Sequence, residues 1–211
     1  MPEAASPALL VAAAFAVGSV PWGLLLTKWV AGVDVRTVGS GNVGATNASR
    51  VLGRKWGALV LVLDAAKGVV PVLLFPTFAG KDGVEWMRVA CGLAAVLGHV
   101  FNPFLAFKGG KGVATSIGAI ATLAPVCALA VLVVFVIVIF ASGYMSLASV
   151  VAAASLAPSA LAFHPTREFI AFAVLVAALV VVRHKSNLGR IAAGTEPRFL
   201  GKKDAGETPR D

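Results

Sequence analysis

From residue 112 to residue 162 the chain runs for about 50 residues with almost no formal charge. A water-soluble domain could not cover such a stretch with polar groups, whereas a helix needs about 20 apolar residues to cross a bilayer. The stretch can hold two long spans or three short ones, with Pro125 and Ser142-Gly143 as the natural breaks. Comparable runs occupy residues 7–30, 56–79, 86–106 and 168–183. All are continuous rather than alternating, which excludes a transmembrane β-barrel. Composition agrees: 58% of residues are hydrophobic and 13% charged, where a soluble domain is nearer half and a quarter. The expected fold is all-α, a polytopic integral membrane helical bundle. One domain covers residues 1–200, and a polar tail follows at 201–211. The first run lacks an n-region cation and a clear cleavage site, so it reads as a retained span.

Hydropathy gives six or seven spans, and charge favours seven. With seven, the loop at 31–55, the loop at 107–111 and everything after 183 share one face. Counting Lys28, that face holds 14 of the 18 Lys and Arg residues. The positive-inside rule then places it in the cytoplasm, with the N-terminus outside. The net charge of +8 is accounted for in this way. Aromatic residues do not interleave the basic stretches, so no nucleic-acid partner is expected. Cys91 and Cys127 lie apart in apolar runs and read as small core residues. No His/Cys/carboxylate cluster suggests a metal, and no cofactor is expected.

Three polar segments meet on the cationic face. The first includes Ser40, Gly41, Asn42, Thr46, Asn47 and Arg50. Its glycines permit tight turns, and Arg50 offers a bidentate fork for phosphate. A short helix opening near Asn47 would present its amino end to an anion. The second comprises Lys108, Gly109, Gly110, Lys111, Gly112, Thr115 and Ser116. It resembles a phosphate loop in exposing glycine amides beside a lysine at a helix start. It departs from the nucleotide pattern, because a glycine and not Ser/Thr follows Lys111. The third holds His184, Asn187, Arg190 and Glu196. His184 and Asn187 share a face if the last helix continues, and Glu196 could hold a cation or a ligand hydroxyl. Three such segments suit an anion, most often phosphate; their residues are the candidate substrate- and phosphate-binding set, with the Gly109–Gly112 amides expected to cradle a phosphate and Asn42 and Asn47 expected to contact substrate.

Other residues stand where they are costly. Asp64 and Lys67 fall within the second span, three apart, and are expected to pair. His99 and Asn102 close the third span and could border the site, while His164 reads as a loop residue of the opposite face. There is no Gly-x-Ser-x-Gly elbow. No His is followed by Asp five positions later, the pattern of many glycerolipid acyltransferases.

The motifs Ser40-Gly-Asn-x-Gly-Ala-Thr-Asn, Leu63-Asp-x-x-Lys-Gly68, Gly98-His-x-Phe-x-Pro103, Phe107-Lys-Gly-Gly-Lys-Gly-Val-Ala-Thr115 and Arg183-His-x-x-Asn-x-x-Arg190 together resemble the bacterial acyl-phosphate:glycerol-3-phosphate acyltransferases, the PlsY family. The resemblance covers almost the whole chain in order. It implies seven spans in the bacterial inner membrane with cytoplasmic active-site loops. It also implies acyl transfer from acyl phosphate to the 1-hydroxyl of sn-glycerol 3-phosphate, giving lysophosphatidate and inorganic phosphate. By the same resemblance Ser40, Arg50, Lys111, His184 and Asn187 are catalytic. The expected partners are these two substrates and membrane lipid; oligomeric state is left open, with a monomer among the options. Two other classes remain: a transporter of a phosphorylated metabolite, and a different lipid-head-group enzyme such as a phosphatase.

Overall fold

The computed structural model describes residues 5–79 and 84–199. The polar tail at 201–211 lies outside the described residues. The first run is two helices, α1 (Pro7–Gly18) and α2 (Trp22–Ala31), separated at Pro21, which has no N–H to continue the ladder. There follow α3 (Ala45–Leu52), α4 (Arg54–Leu74), α5 (Val84–Val100), α6 (Val113–Leu123), α7 (Pro125–Ser142), α8 (Met145–Phe163), α9 (Arg167–Arg183) and α10 (Lys185–Ala192). The long uncharged stretch thus holds three helices. Its breaks fall where expected: Pro125 opens α7, and Gly143 caps it at φ 77°.

Five segments are long and apolar enough to cross a membrane, and α9 with α10 makes a sixth if their 51° bend is one broken span. Helix α6, with 11 residues, extends about 16 Å at 1.5 Å per residue, roughly half the hydrocarbon layer. Helix length therefore does not reach the expected seven crossings. Even so, α6 runs along most of α5. Gly112 lies against Val100 and Val96, and Arg88 donates to the Thr122 carbonyl at 3.0 Å.

Small residues set the helix crossings, as in bilayers, where close backbone approach replaces the hydrophobic drive between helices. A Cβ on Gly68 would stand 2.1 Å from the Thr115 carbonyl oxygen, and one on Gly118 2.1 Å from that of Ala65, so α4 and α6 touch backbone to backbone. Gly18 and Gly98 do the same between α1 and α5. The largest core cluster joins α4 to α9 through Val72, Val96, Ala119, Leu156, Phe172 and Val180. Cys91 and Cys127 are buried and free. Leu129, Leu132, Ile137 and Phe140 of α7 face outward, the surface a lipid-embedded helix presents.

The two ends of the bundle differ. At one end the Ala5 amide donates to Phe78, and His164, just past α8, donates to Glu85 at 3.3 Å. At the other end the polar segments converge.

Candidate active site

The first segment folds back on itself. Gly39 and Gly41 take left-handed φ of 58° and 67°, which turns the chain so that Asn47 lies beneath it. Asn47 is buried; its amide nitrogen donates to the carbonyls of Val35 and Val38, and its oxygen accepts from the Ser40 N–H at 3.0 Å. Asn42 accepts from the Gly44 N–H at 2.8 Å. Both asparagines, candidate substrate-binding residues, thus brace the loop. Helix α3 begins at Ala45, two residues earlier than expected. The brace leaves Ser40 and Arg50 exposed and Thr46 half-buried, and Arg50 makes no ion pair among the described residues. Leu105, from the turn before the second segment, packs with Val35 and Val43 and fastens the first two segments together.

The second segment corrects an expectation. The Gly109 and Gly110 amides were expected to cradle phosphate. Instead they donate to the Val100 and His99 carbonyls, both at 3.1 Å, because the loop folds back over the last turn of α5. Among the described residues, the uncommitted backbone donors lie further along, in the first turn of α6, whose N–H groups have no partner within the helix. Beside them Thr115 and Ser116 are buried, and their hydroxyls have no hydrogen-bond partner among the described residues. Lys108 is exposed, whereas Lys111 is half-buried. The anion-binding character of the segment thus sits at Lys111 and the start of α6.

The third segment supplies Lys111 with its partner. The Lys111 ammonium donates to Asn187 Oδ1 at 2.6 Å. Asn187 in turn donates to Glu196 Oε1 at 2.6 Å, Ser146 donates to the same oxygen at 2.8 Å, and Arg190 Nε pairs with Glu196 Oε2 at 2.7 Å. Glu196 therefore holds a cation, one of its two expected roles, and also fixes which way Asn187 faces. The last helix does not continue straight: the chain bends at His184. His184 is buried, and its Nδ1 lies 2.8 Å from the Val180 carbonyl. A carbonyl only accepts, so Nδ1 carries a proton and the neutral ring leaves Nε2 as an acceptor. Arg183 donates to the Gly109 carbonyl at 2.9 Å, closing the third segment on the second.

Charge reinforces this arrangement. Burial pushes the Lys111 pKa down to about 8; Glu196 opposes the shift, while Arg190, Arg183 and Arg50 add to it. Burial would raise the Glu196 carboxyl, but the hydrogen bonds from Asn187, Ser146 and Arg190 outweigh it and hold the group below its ordinary value. The free enzyme presents Lys111 as an ammonium chiefly below about pH 8. We expect kcat/KM to fall about tenfold per pH unit above pH 8, the basic limb reporting the free enzyme. A limb at pH 10 or above would show Lys111 to be solvated.

Sequence reasoning missed Ser146, and it placed Arg183 in the third motif without assigning it to the site. Ser146 lies in an apolar stretch with no motif, and its only signal is its place just after the Gly143 break. Next to Arg183, an apolar groove of about 320 Å³ lies between α5 and α9, lined by Leu93, Leu97, Leu175, Ala178, Leu179 and Val182. Among the described residues no cluster of His, Cys, Asp and Glu could hold a metal.

Comparison with known proteins bears on this site. A family profile described as glycerol-3-phosphate acyltransferase matches residues 8–194. The glycerol-3-phosphate acyltransferase of Trichlorobacter lovleyi is 48% identical, over 90% of this chain and 95% of its own. That of Geotalea daltonii is 45% identical, over 92% and 98%. Among solved structures, PlsY, an integral membrane glycerol 3-phosphate acyltransferase, superimposes in its glycerol 3-phosphate form with a TM-score of 0.86 at 38% identity, covering 93% of this chain and 96% of that one. Its lysophosphatidic acid form gives 0.84 at 37% identity, with the same coverage.

Proposed function

This chain belongs to the glycerol-3-phosphate acyltransferase family of integral membrane proteins, and from that premise we propose that its acyl donor is acyl phosphate. The 1-hydroxyl oxygen of glycerol 3-phosphate attacks the acyl carbonyl carbon. The bond from that carbon to the phosphate oxygen breaks, and the hydroxyl proton leaves with inorganic phosphate. The product is 1-acyl-glycerol 3-phosphate, and the reaction opens phospholipid synthesis.

The observation that carries this reading is the convergence of Lys111, Arg50, Arg183 and the open turn of α6 at one end of the bundle, beside a groove made only of apolar side chains. Two phosphates need cations and donors, and a fatty chain needs a path from the bilayer. Arg50 and Lys111 neutralise phosphate oxygens. Ser40, Thr46 and Asn187 orient hydroxyls or phosphate, and the groove takes the acyl chain. An activated mixed anhydride needs no covalent enzyme intermediate, so the protein's work is to position the reactants and stabilise developing charge. Among the described residues no carboxylate hydrogen-bonds to His184, whose Nδ1 proton goes to a carbonyl, so the departing phosphate takes the proton. Counting α6 as a crossing despite its length, the chain passes the bacterial inner membrane seven times, with the N-terminus outside and the site facing the cytoplasm.

Purified protein given acyl phosphate should release phosphate only when glycerol 3-phosphate is also present, and acyl-CoA should not replace the donor. Release without acceptor would point to a phosphatase instead. Replacing His184 by Ala should cost less than about tenfold in turnover; a loss within the usual ~10²–10⁴ range of a removed general base would assign the proton to the histidine.

A further inference from the structure

One polar cluster takes no part in the site as described. Lys67 is 3% exposed. Its ammonium lies 2.9 Å from Asp64 Oδ1 and 2.9 Å from His99 Nδ1, and it donates to the Val20 carbonyl at 2.8 Å. The cluster lies within segments long enough to span the membrane, where charge is expensive. Well-packed apolar side chains in place of a buried ion pair are often neutral or stabilising. What the polar trio supplies is geometry. An ammonium has donors only, so His99 Nδ1 accepts and the ring proton sits on Nε2.

Nε2 faces the second segment. A Cβ on Gly110 would stand 2.1 Å from it, so the loop lies directly on the imidazole, and only glycine allows that approach. The main chain of the same residue holds the loop as well, since the His99 carbonyl accepts from the Gly110 N–H. Just before it, Ala106 and Phe107 take left-handed φ of 50° and 61°. Such a conformation persists only where its surroundings fix it. Asn102 does so by accepting the Phe107 N–H at 2.8 Å. Lys111 follows Gly110 directly.

We propose that Asp64, Lys67 and His99 form a buried positioning relay for Lys111, in which the lysine fixes the imidazole beneath Gly110 and the imidazole fixes the loop that carries Lys111 into the site. The inference rests on the acyl-transfer reading, and the test separates the two. The full-length protein in detergent micelles is first assayed for acceptor-dependent phosphate release from acyl phosphate. An inactive wild-type protein sinks the functional reading.

With an active wild type, two variants follow: Asp64→Leu, Lys67→Met and His99→Leu combined, and His99→Gln alone, whose amide nitrogen can occupy the place of Nε2. The triple variant should purify folded, with a melting temperature at or above wild type. Its kcat/KM should drop by about 100-fold, the scale of a 1 Å misplacement. Its basic pH limb should also move up from about 8 as Lys111 leaves its buried position among Arg50, Arg183, Arg190 and Glu196. His99→Gln should stay within about fivefold of wild type, because it restores the contact that the relay delivers. The relay is refuted by a triple variant within threefold of wild type with an unmoved limb, by one that does not fold, or by a His99→Gln enzyme as impaired as the triple.

Discussion

Replacing Lys111 by Met lowers kcat/KM by about 10²–10³-fold and leaves the fold intact. The magnitude follows from the removal of one preorganised donor aimed at developing charge, which costs on the order of 3–4 kcal/mol in a site sheltered from water. The fold survives because Lys111 is half-buried and, among the described residues, makes a single side-chain hydrogen bond, to Asn187 Oδ1. Removing an ammonium whose pKa burial has already lowered also ends its desolvation cost. Asn187 remains held through Glu196. Lys111→Arg does not restore the rate: a planar fork cannot take the place of a compact ammonium seated 2.6 Å from one oxygen. Steady-state kinetics with both substrates, alongside melting temperatures in detergent, checks this. A Met variant within tenfold of wild type would remove Lys111 from the chemistry.

The second large effect is on stability and comes from the α4–α6 crossing. A Cβ at Gly68 or Gly118 would stand 2.1 Å from a backbone oxygen of the facing helix, a contact that no side-chain rotation relieves. Alanine in a helix interior gains up to about 1 kcal/mol over glycine, but here the two helix axes must part. Overpacking of this kind costs about 1–3 kcal/mol, occasionally more. The overlap therefore prevails: Gly68→Ala and Gly118→Ala should each lower the melting temperature. Gly68→Ala should lower activity as well, since the atom displaced belongs to Thr115 in the first turn of α6. Gly189 provides the control, because it lies in α10 with nothing within 4 Å of its added Cβ. Gly189→Ala should be neutral or stabilising. If all three alanines behave alike, backbone contact does not set the crossing.

The glycines of the second segment were visible as a group, yet their roles divide. Gly109 and Gly110 lie over the end of α5 and give their amides to it, while the free amides begin at α6. The sequence shows that glycine permits a close approach, but not which neighbour approaches. Similarly, Asn47 reads as a substrate contact from the density of small polar residues around it. Its three hydrogen bonds within the loop could be known only once the chain had turned at Gly39 and Gly41. The Asp64–Lys67 pair was legible because both lie on one helix, three residues apart; its third member, His99, comes from another helix.

From the order of its residues alone the chain fixes its medium, its helical class, the breaks at Pro125 and Gly143, and the segments in which its cations collect. Those are properties of consecutive residues, where solvation and backbone hydrogen bonding act locally. Tertiary structure decided which donors stay free and which are committed: Lys111 meets Asn187 across 76 residues, and Ser146 meets Glu196 across 50. Such pairings depend on ångström-scale distances between packed helices. Those distances are set by where backbones touch at Gly68 and Gly118, and composition and spacing do not encode them.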